Sequence, residues 1–239
     1  MILEFEFKEK YDIDDLCGIM KILRSENGCP WDKVQTHKSI RKDLIEECYE
    51  AAEAIDCDDP AMMREELGDV LLQVVFHSEM EEERGNFSFG DVVNEVCQKL
   101  VDRHPHVFGN VKADSTEEAL DSWNNAKQQL KGQKTYSETL DSVSRALPAL
   151  MRAQKLCSRA KRSGMTFVNR DAAADMIAHE AAALKENEFD SAEIIGRILF
   201  LTAELAWLDD ADAEECLSAE SEKFIDDFRV AEKNIRTAD

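Results

Sequence analysis

The chain has 239 residues, 44% of them hydrophobic and 33% charged, with a formal net charge of −22. That charge argues against a nucleic-acid polymer or an anionic membrane surface as partner, because phosphate backbones need basic patches. A phosphorylated small molecule held through a cation stays open. Only four prolines and nine glycines occur among abundant helix formers, so an all-α fold is expected.

Residues 1–11 alternate apolar and charged side chains and suggest a short extended arm. Ile13, Leu16, Cys17, Met20 and Leu23 then recur at helical spacing over 12–25. The stretch ENGCPWDKVQT follows as a loop, with Gly28 and Pro30 as breakers. Helices are expected over 37–56, 61–84 and 89–103, separated by the acidic turn Asp58–Asp59–Pro60 and by Gly85–Asn86. HPHVFG reads as a loop, and Ser115 with Glu118 forms a capping box for a helix to about residue 130. Residues 131–146 are polar and read as a linker between an N-terminal domain, 1–130, and a C-terminal one, 147–239. Pro148 opens the next helix, and helical patterns recur over 171–187, 190–208 and 212–236.

The seven cysteines are odd in number and include no CxxC pair. Reduced thiols in a cytoplasmic protein fit best, and Cys17, Cys48 and Cys97 read as small core residues. The first residues lack an apolar leader, and no run approaches the ~18 apolar residues of a membrane span.

The two halves resemble each other. The run around Gly68 (65–80) parallels that around Gly196 (192–207). GCPWD (28–32) loosely parallels GMTFV (164–168), and Lys99 matches Lys223. The expected architecture is therefore a tandem pair of helical bundles. The copies differ in their acids. Ile194 and Arg197 stand where the first copy has Glu66 and Asp69, and only Glu180 answers the EECYE cluster. Asp227 stands opposite Arg103. The apolar pattern survives in both copies, while ligand-type carboxylates survive in one.

Those carboxylates are the candidate chemistry. Glu46, Glu47 and Glu50 crowd one helix, and Glu65, Glu66 and Asp69 the next. Like charges at such spacing repel, and acidic runs are usually solvent faces. The full pattern, E-E-x-x-E, fifteen residues, E-x-x-D, is more specific, and a strongly apolar run follows Asp69. Buried helices with acids at their edge need partners for them. A divalent cation between antiparallel helices, held by Glu47, Glu50, Glu66 and Asp69, meets that need; Mg²⁺ prefers such hard oxygen ligands. A di-iron bundle would use Glu-x-x-His, and none of the five histidines has a Glu three residues before it.

Lys99 and Arg103 lie one turn apart. Spacing alone leaves a phosphate clamp and a pair of surface bases equally open. Trp31 in its loop and Trp123, with Lys127 four residues on, could stack on a nucleobase, although a lone Trp more often packs. No phosphate-binding glycine loop or nucleophile motif is present.

Taken together, GCPWDKVQT, the EECYE and EELGD pair, VVFHSEM, KLVDRHPHVF, SWNNAK and LPALMRAQK resemble the MazG family of nucleoside triphosphate pyrophosphohydrolases, over about residues 12–236. The resemblance implies all-α helical bundles that dimerise. It also implies Mg²⁺-dependent hydrolysis of NTPs and dNTPs of broad base range to monophosphate and pyrophosphate, with Mn²⁺ as a substitute metal. On it, the metal acids fall on Glu47, Glu50, Glu66 and Asp69, with Glu46 beside the metal and the attacking water. Glu46 or Glu47 takes the water's proton. Phosphate-binding bases fall on Lys99 and Arg103, and a nucleotide-contacting element on Trp123 and Lys127, with Trp31 as a further stacking candidate. The second copy departs from the pattern and would serve packing or dimerisation. A helical module that binds nucleotide or metal without turnover is the rival class.

Overall fold

The computed structural model describes residues 5–131, 135–184 and 190–236. These residues form helices and no strand. The chain divides into two compact units, Met1–Lys127 and Gln128–Asp239.

In the first unit, α1 (Ile13–Arg24) starts at a capping box between Asp12 and Asp15. A 3₁₀ turn at Asp32–Val34 leads to α2 (Arg41–Asp56) and α3 (Pro60–Glu83). Asp58 takes a positive φ of 51°, and Asp59 then caps α3 with Pro60 in its first turn. This sharp reversal lays α2 and α3 side by side. α4 (Phe89–Arg103) opens at a Ser88–Asp91 capping box. α5 (Pro105–Phe108) and α6 (Thr116–Lys131) follow. The core gathers Met20, Ile40, Val75, Phe76 and Met80, with α3 packed on α1, α2 and α4.

In the second unit, α7 (Tyr136–Asp141) packs on α8 (Ala149–Arg162). α10 (Ser191–Leu208) packs on α8, on α9 (Arg170–Ala183) and on α11 (Ala213–Arg236). Ala153, Ala203 and Ala213 form a tight apolar cluster here.

Several expectations need correction. HPHVFG contains the short helix α5, because Pro105 is accepted at a first helical position. The stretch 131–146 is not simply a linker. Thr135 and Glu138 build a capping box for α7, Val143 is buried, and Arg159 donates to Thr139 O and Ser142 Oγ at 2.7 and 2.6 Å. Residues 5–11 form no strand; Phe5 instead stacks on Tyr11. Residues 1–4, 132–134, 185–189 and 237–239, which carry the start of that arm, part of the linker and the end of one expected helix, lie outside the described residues.

All seven thiols are free, yet Cys48 and Cys97 are exposed rather than core. The apolar run after Asp69 is also less buried than its composition suggests. Leu67 and Leu71 stay exposed, and full burial begins at Gln73. The second unit repeats this, with Ile194 and Leu201 buried but Ile195, Leu199 and Phe200 exposed.

Candidate active site

α2 and α3 carry the acids, and their antiparallel packing turns two charged stripes toward each other. Carboxylate oxygens of Glu47, Glu66 and Asp69 all come within 4.8 Å of one another. Glu50, one turn after Glu47, hydrogen-bonds the Glu47 side chain and adds its charge to Glu66. Partial burial, then the charges of Asp69 and Glu50, push the Glu47 carboxyl above its usual range. Desolvation and the charge of Glu50 do the same for Glu66. Carboxylates crowded this way repel one another, and a cation between them would relieve the repulsion. Hard carboxylate oxygens at this spacing fit an Mg²⁺ or Mn²⁺ ion. Glu46 is exposed and lies outside the cluster, about 100° round the helix from Glu47. Glu53 and Glu65 are exposed as well.

The basic and aromatic candidates form a second constellation, on α4 and α6. The Arg103 guanidinium lies 5.4 Å from the centre of the Trp123 ring, and Lys127 Nζ lies 4.7 Å from it. The helical spacing of Trp123 and Lys127 explains the second contact. Two cations on one indole leave the ring half-buried beside a cleft of about 340 Å³, which His104, His106, Leu120 and Trp123 help to line. Arg103 Nε and His106 Nδ1 are buried there without a hydrogen-bond partner. Lys99 is exposed, one turn before Arg103 on α4.

Trp31 is 57% exposed at the start of the 3₁₀ turn. Its loop is rigidly tied. Arg24 forks onto Glu83 at 2.7 and 2.9 Å, donates to Asp32 O at 2.6 Å, and lies 5.3 Å over Phe76. Gly28 is more than a breaker, since a Cβ there would run into the carbonyls of Ile22 and Leu23.

Sequence reasoning missed a polar track on α3. Gln73 and His77 continue the Glu66–Asp69 face at helical spacing. Gln73 Oε1 and His77 Nε2 are both buried and unpaired. His77 Nδ1 meets His37 Nδ1 at 2.7 Å, and His37 Nε2 meets Glu81 at 2.5 Å. The spacing 66, 69, 73, 77 was the available signal.

In the second unit, Arg197 of α10 is the residue that the sequence parallel sets opposite Asp69. It bonds Glu180 at 2.9 Å and Glu193 at 2.7 Å. An internal cation thus neutralises the acids that remain.

Comparison with known proteins identifies the family. A profile of the MazG nucleotide pyrophosphohydrolase domain matches residues 35–108, which hold both acidic helices and Arg103. The nucleoside triphosphate pyrophosphohydrolase/pyrophosphatase MazG of Thermotoga maritima is 39% identical over 224 residues, 93% of this chain and 86% of that protein. The nucleoside triphosphate pyrophosphohydrolase of Escherichia coli K12 is 39% identical over 229 residues, 92% of this chain and 87% of its own length. One from Mycolicibacterium smegmatis is 36% identical over 180 residues, 74% of this chain and 55% of that protein. With such identity sustained over more than nine-tenths of its length, the chain belongs to the MazG family of nucleoside triphosphate pyrophosphohydrolases.

Proposed function

We propose that this protein hydrolyses nucleoside triphosphates, ribo and deoxy and of broad base range, to monophosphate and pyrophosphate. The first unit carries the reaction, with Mg²⁺, or Mn²⁺ in its place, held by Glu47, Glu50, Glu66 and Asp69. The observation that carries this reading is the convergence of three carboxylates from two helices within 4.8 Å. When bound, the cation supplies positive charge where negative charge builds up on the triphosphate. Glu46 or Glu47 takes the proton of the attacking water; Glu46 has the solvent access and Glu47 the raised affinity for a proton. Arg103, as a fork, and Lys99, as a point charge, hold the pyrophosphate oxygens as they leave. Trp123 with Lys127 contacts the nucleotide beside its cleft, and exposed Trp31 offers a stacking face.

Two further features support the wider reading. Ile45, Tyr49, Leu67, Leu71, Leu100 and Val101 leave large apolar surfaces exposed on α2, α3 and α4, as a homodimer interface requires. Seven free thiols suit the cytoplasm, and no helix among the described residues is long and apolar enough to cross a membrane.

The test is pyrophosphate release from a panel of NTPs and dNTPs with and without Mg²⁺, on wild type, Glu50→Ala and Asp69→Ala. Loss of one ligand is expected to cost on the order of a hundredfold in activity, at least what is lost when a supporting group of a metal ligand is removed. Unchanged turnover in Asp69→Ala would remove the site assignment.

A further inference from the structure

The second unit contains a cavity of about 380 Å³ between α8, α9, α10 and the segment 165–168. Its walls are apolar, with Leu156, Met165, Phe167, Met176 and Phe200 among them. One ionisable acid, Glu204 of α10, opens into it. Glu204 is 8% exposed, and among the described residues nothing gives its carboxyl a hydrogen bond or an ion pair. Among the described residues, the other half-buried acids of this unit are engaged. Glu180 pairs with Arg197, and Glu214 accepts from the backbone of Leu150 at 3.1 Å. The Glu204 oxygens keep some contact with solvent, so this carboxyl faces the open space of an apolar cavity, where a cation could pair with it.

The cavity is open to solvent, with Met165, Met176 and Phe200 exposed along its edge, and its inner side is fixed by local packing. Gly164, at a φ of +86°, ends α8 and lets Met165 N bond back to Ala160 O at 3.0 Å. Phe167 packs edge-on against Trp207 at 5.0 Å. Cys157 lies in the lining at 1% exposure; burial pushes its thiol up to about 11, so it stays neutral, and Glu204 is the one charged side chain among the described residues that line the cavity. Burial likewise raises the affinity of Glu204 for a proton, which a cationic ligand would reverse.

We propose that this cavity is a binding site for a small organic cation, with its ammonium or amidinium head on the Glu204 carboxylate and its apolar body against Met165, Met176 and Phe200. At about 30 Å³ per water-sized group, the space takes on the order of ten non-hydrogen atoms. Charge complementarity selects the head, and the apolar walls reject a small hydrated cation such as free ammonium. The site is separate from the acids of the first unit and does not depend on the reaction proposed for them.

The full chain is titrated by calorimetry with 2-phenylethylammonium and with 2-phenylethanol, which matches it in size without the charge. The ammonium is expected to bind saturably, and the alcohol at least about tenfold more weakly, a difference of about 1.4 kcal/mol. Glu204→Gln should weaken the ammonium by a similar factor and leave the alcohol unaffected. Attraction to the net charge of −22 alone would survive that substitution. Absence of saturable binding to wild type overturns the proposal, as does equal affinity for the two probes, and neither outcome requires a variant to fold. A third contrary outcome is a cavity filled by a second copy of the chain. Phe200→Asp would then lower the mass seen by sedimentation, while the ammonium fails to bind wild type.

Discussion

Glu47 on α2 and Asp69 on α3 hold carboxylate oxygens within 4.8 Å of each other, and among the described residues neither makes an ion pair. Two helices are thus packed together across a repulsion. Asp69→Asn keeps the shape and removes one charge. In chelator its melting temperature should exceed that of wild type. Added Mg²⁺ should raise the wild-type value, by about 2.7 kcal/mol in stability at a hundred times Kd, and leave Asp69→Asn nearly unmoved. Thermal melts of both proteins with EDTA and with Mg²⁺ make the comparison. A variant no more stable in EDTA would mean that the repulsion is already relieved by solvent.

Arg103 and Lys127 both lie over the Trp123 ring, at 5.4 and 4.7 Å. Arg103→Lys keeps the charge but loses the fork and the flat stacking face. If Arg103 holds leaving oxygens, kcat for NTP hydrolysis should fall by about tenfold or more, since the interaction strengthens as charge develops. Trp123→Ala should raise KM instead. Steady-state kinetics separates the two, and a pure KM effect for Arg103→Lys would reassign it to ground-state binding.

The sequence made the acid cluster legible because carboxylates at i, i+3 and i+4 spacing share one helix face. Glu47, Glu50, Glu66 and Asp69 could be picked out before any fold was seen, and three of them converge with the fourth in contact. The Ser115 cap, read from S-x-x-E, is likewise local in sequence, and Ser115 Oγ accepts from Glu118 N at 3.1 Å. What escaped is long-range. His37 and His77 are forty residues apart and meet only because α3 packs against the loop before α2. Glu204 reads as an ordinary helical acid until α8, α9 and the segment 165–168 gather apolar side chains round it. Leu67, Leu71 and Phe200 looked like core because composition cannot tell an inner face from an apolar outer one.

Two glycines should respond in opposite directions to alanine. At Gly28 a Cβ meets the Ile22 and Leu23 carbonyls, backbone atoms that cannot step aside. Gly28→Ala should cost about 1–3 kcal/mol, as overpacking does, and loosen the loop that presents Trp31. Gly68 lies within α3 with nothing within 4 Å of an added Cβ. Gly68→Ala should stabilise by about 0.5–1 kcal/mol through helix propensity. Urea denaturation midpoints read both. A destabilised Gly68→Ala would show that this face is covered in solution, as a dimer interface on α3 would require.

The His37–His77 pair gives stability a pH dependence of definite sign. The two Nδ1 atoms, 2.7 Å apart, can hold one hydrogen between them, so the rings cannot both be protonated in place. The other side of His37 is fixed by Glu81, which also accepts from Arg84 at 2.7 Å and from Asn86 at 2.6 Å. These donors, Asn86 foremost, hold Glu81 below the usual carboxylate range, so it stays ionised. Burial, then the charge of His37, depresses the pKa of His77. The unfolded chain therefore takes up a proton at this histidine as pH falls through about 6.5, where the folded chain does not. Stability is fully present above that pH and declines below it, until the folded pKa is passed. Melting temperatures between about pH 7.5 and pH 5.5 should fall more steeply for wild type than for His77→Asn, which keeps a polar group but cannot titrate. Parallel profiles would show that the proton on this pair is shared as readily in the folded protein as in water.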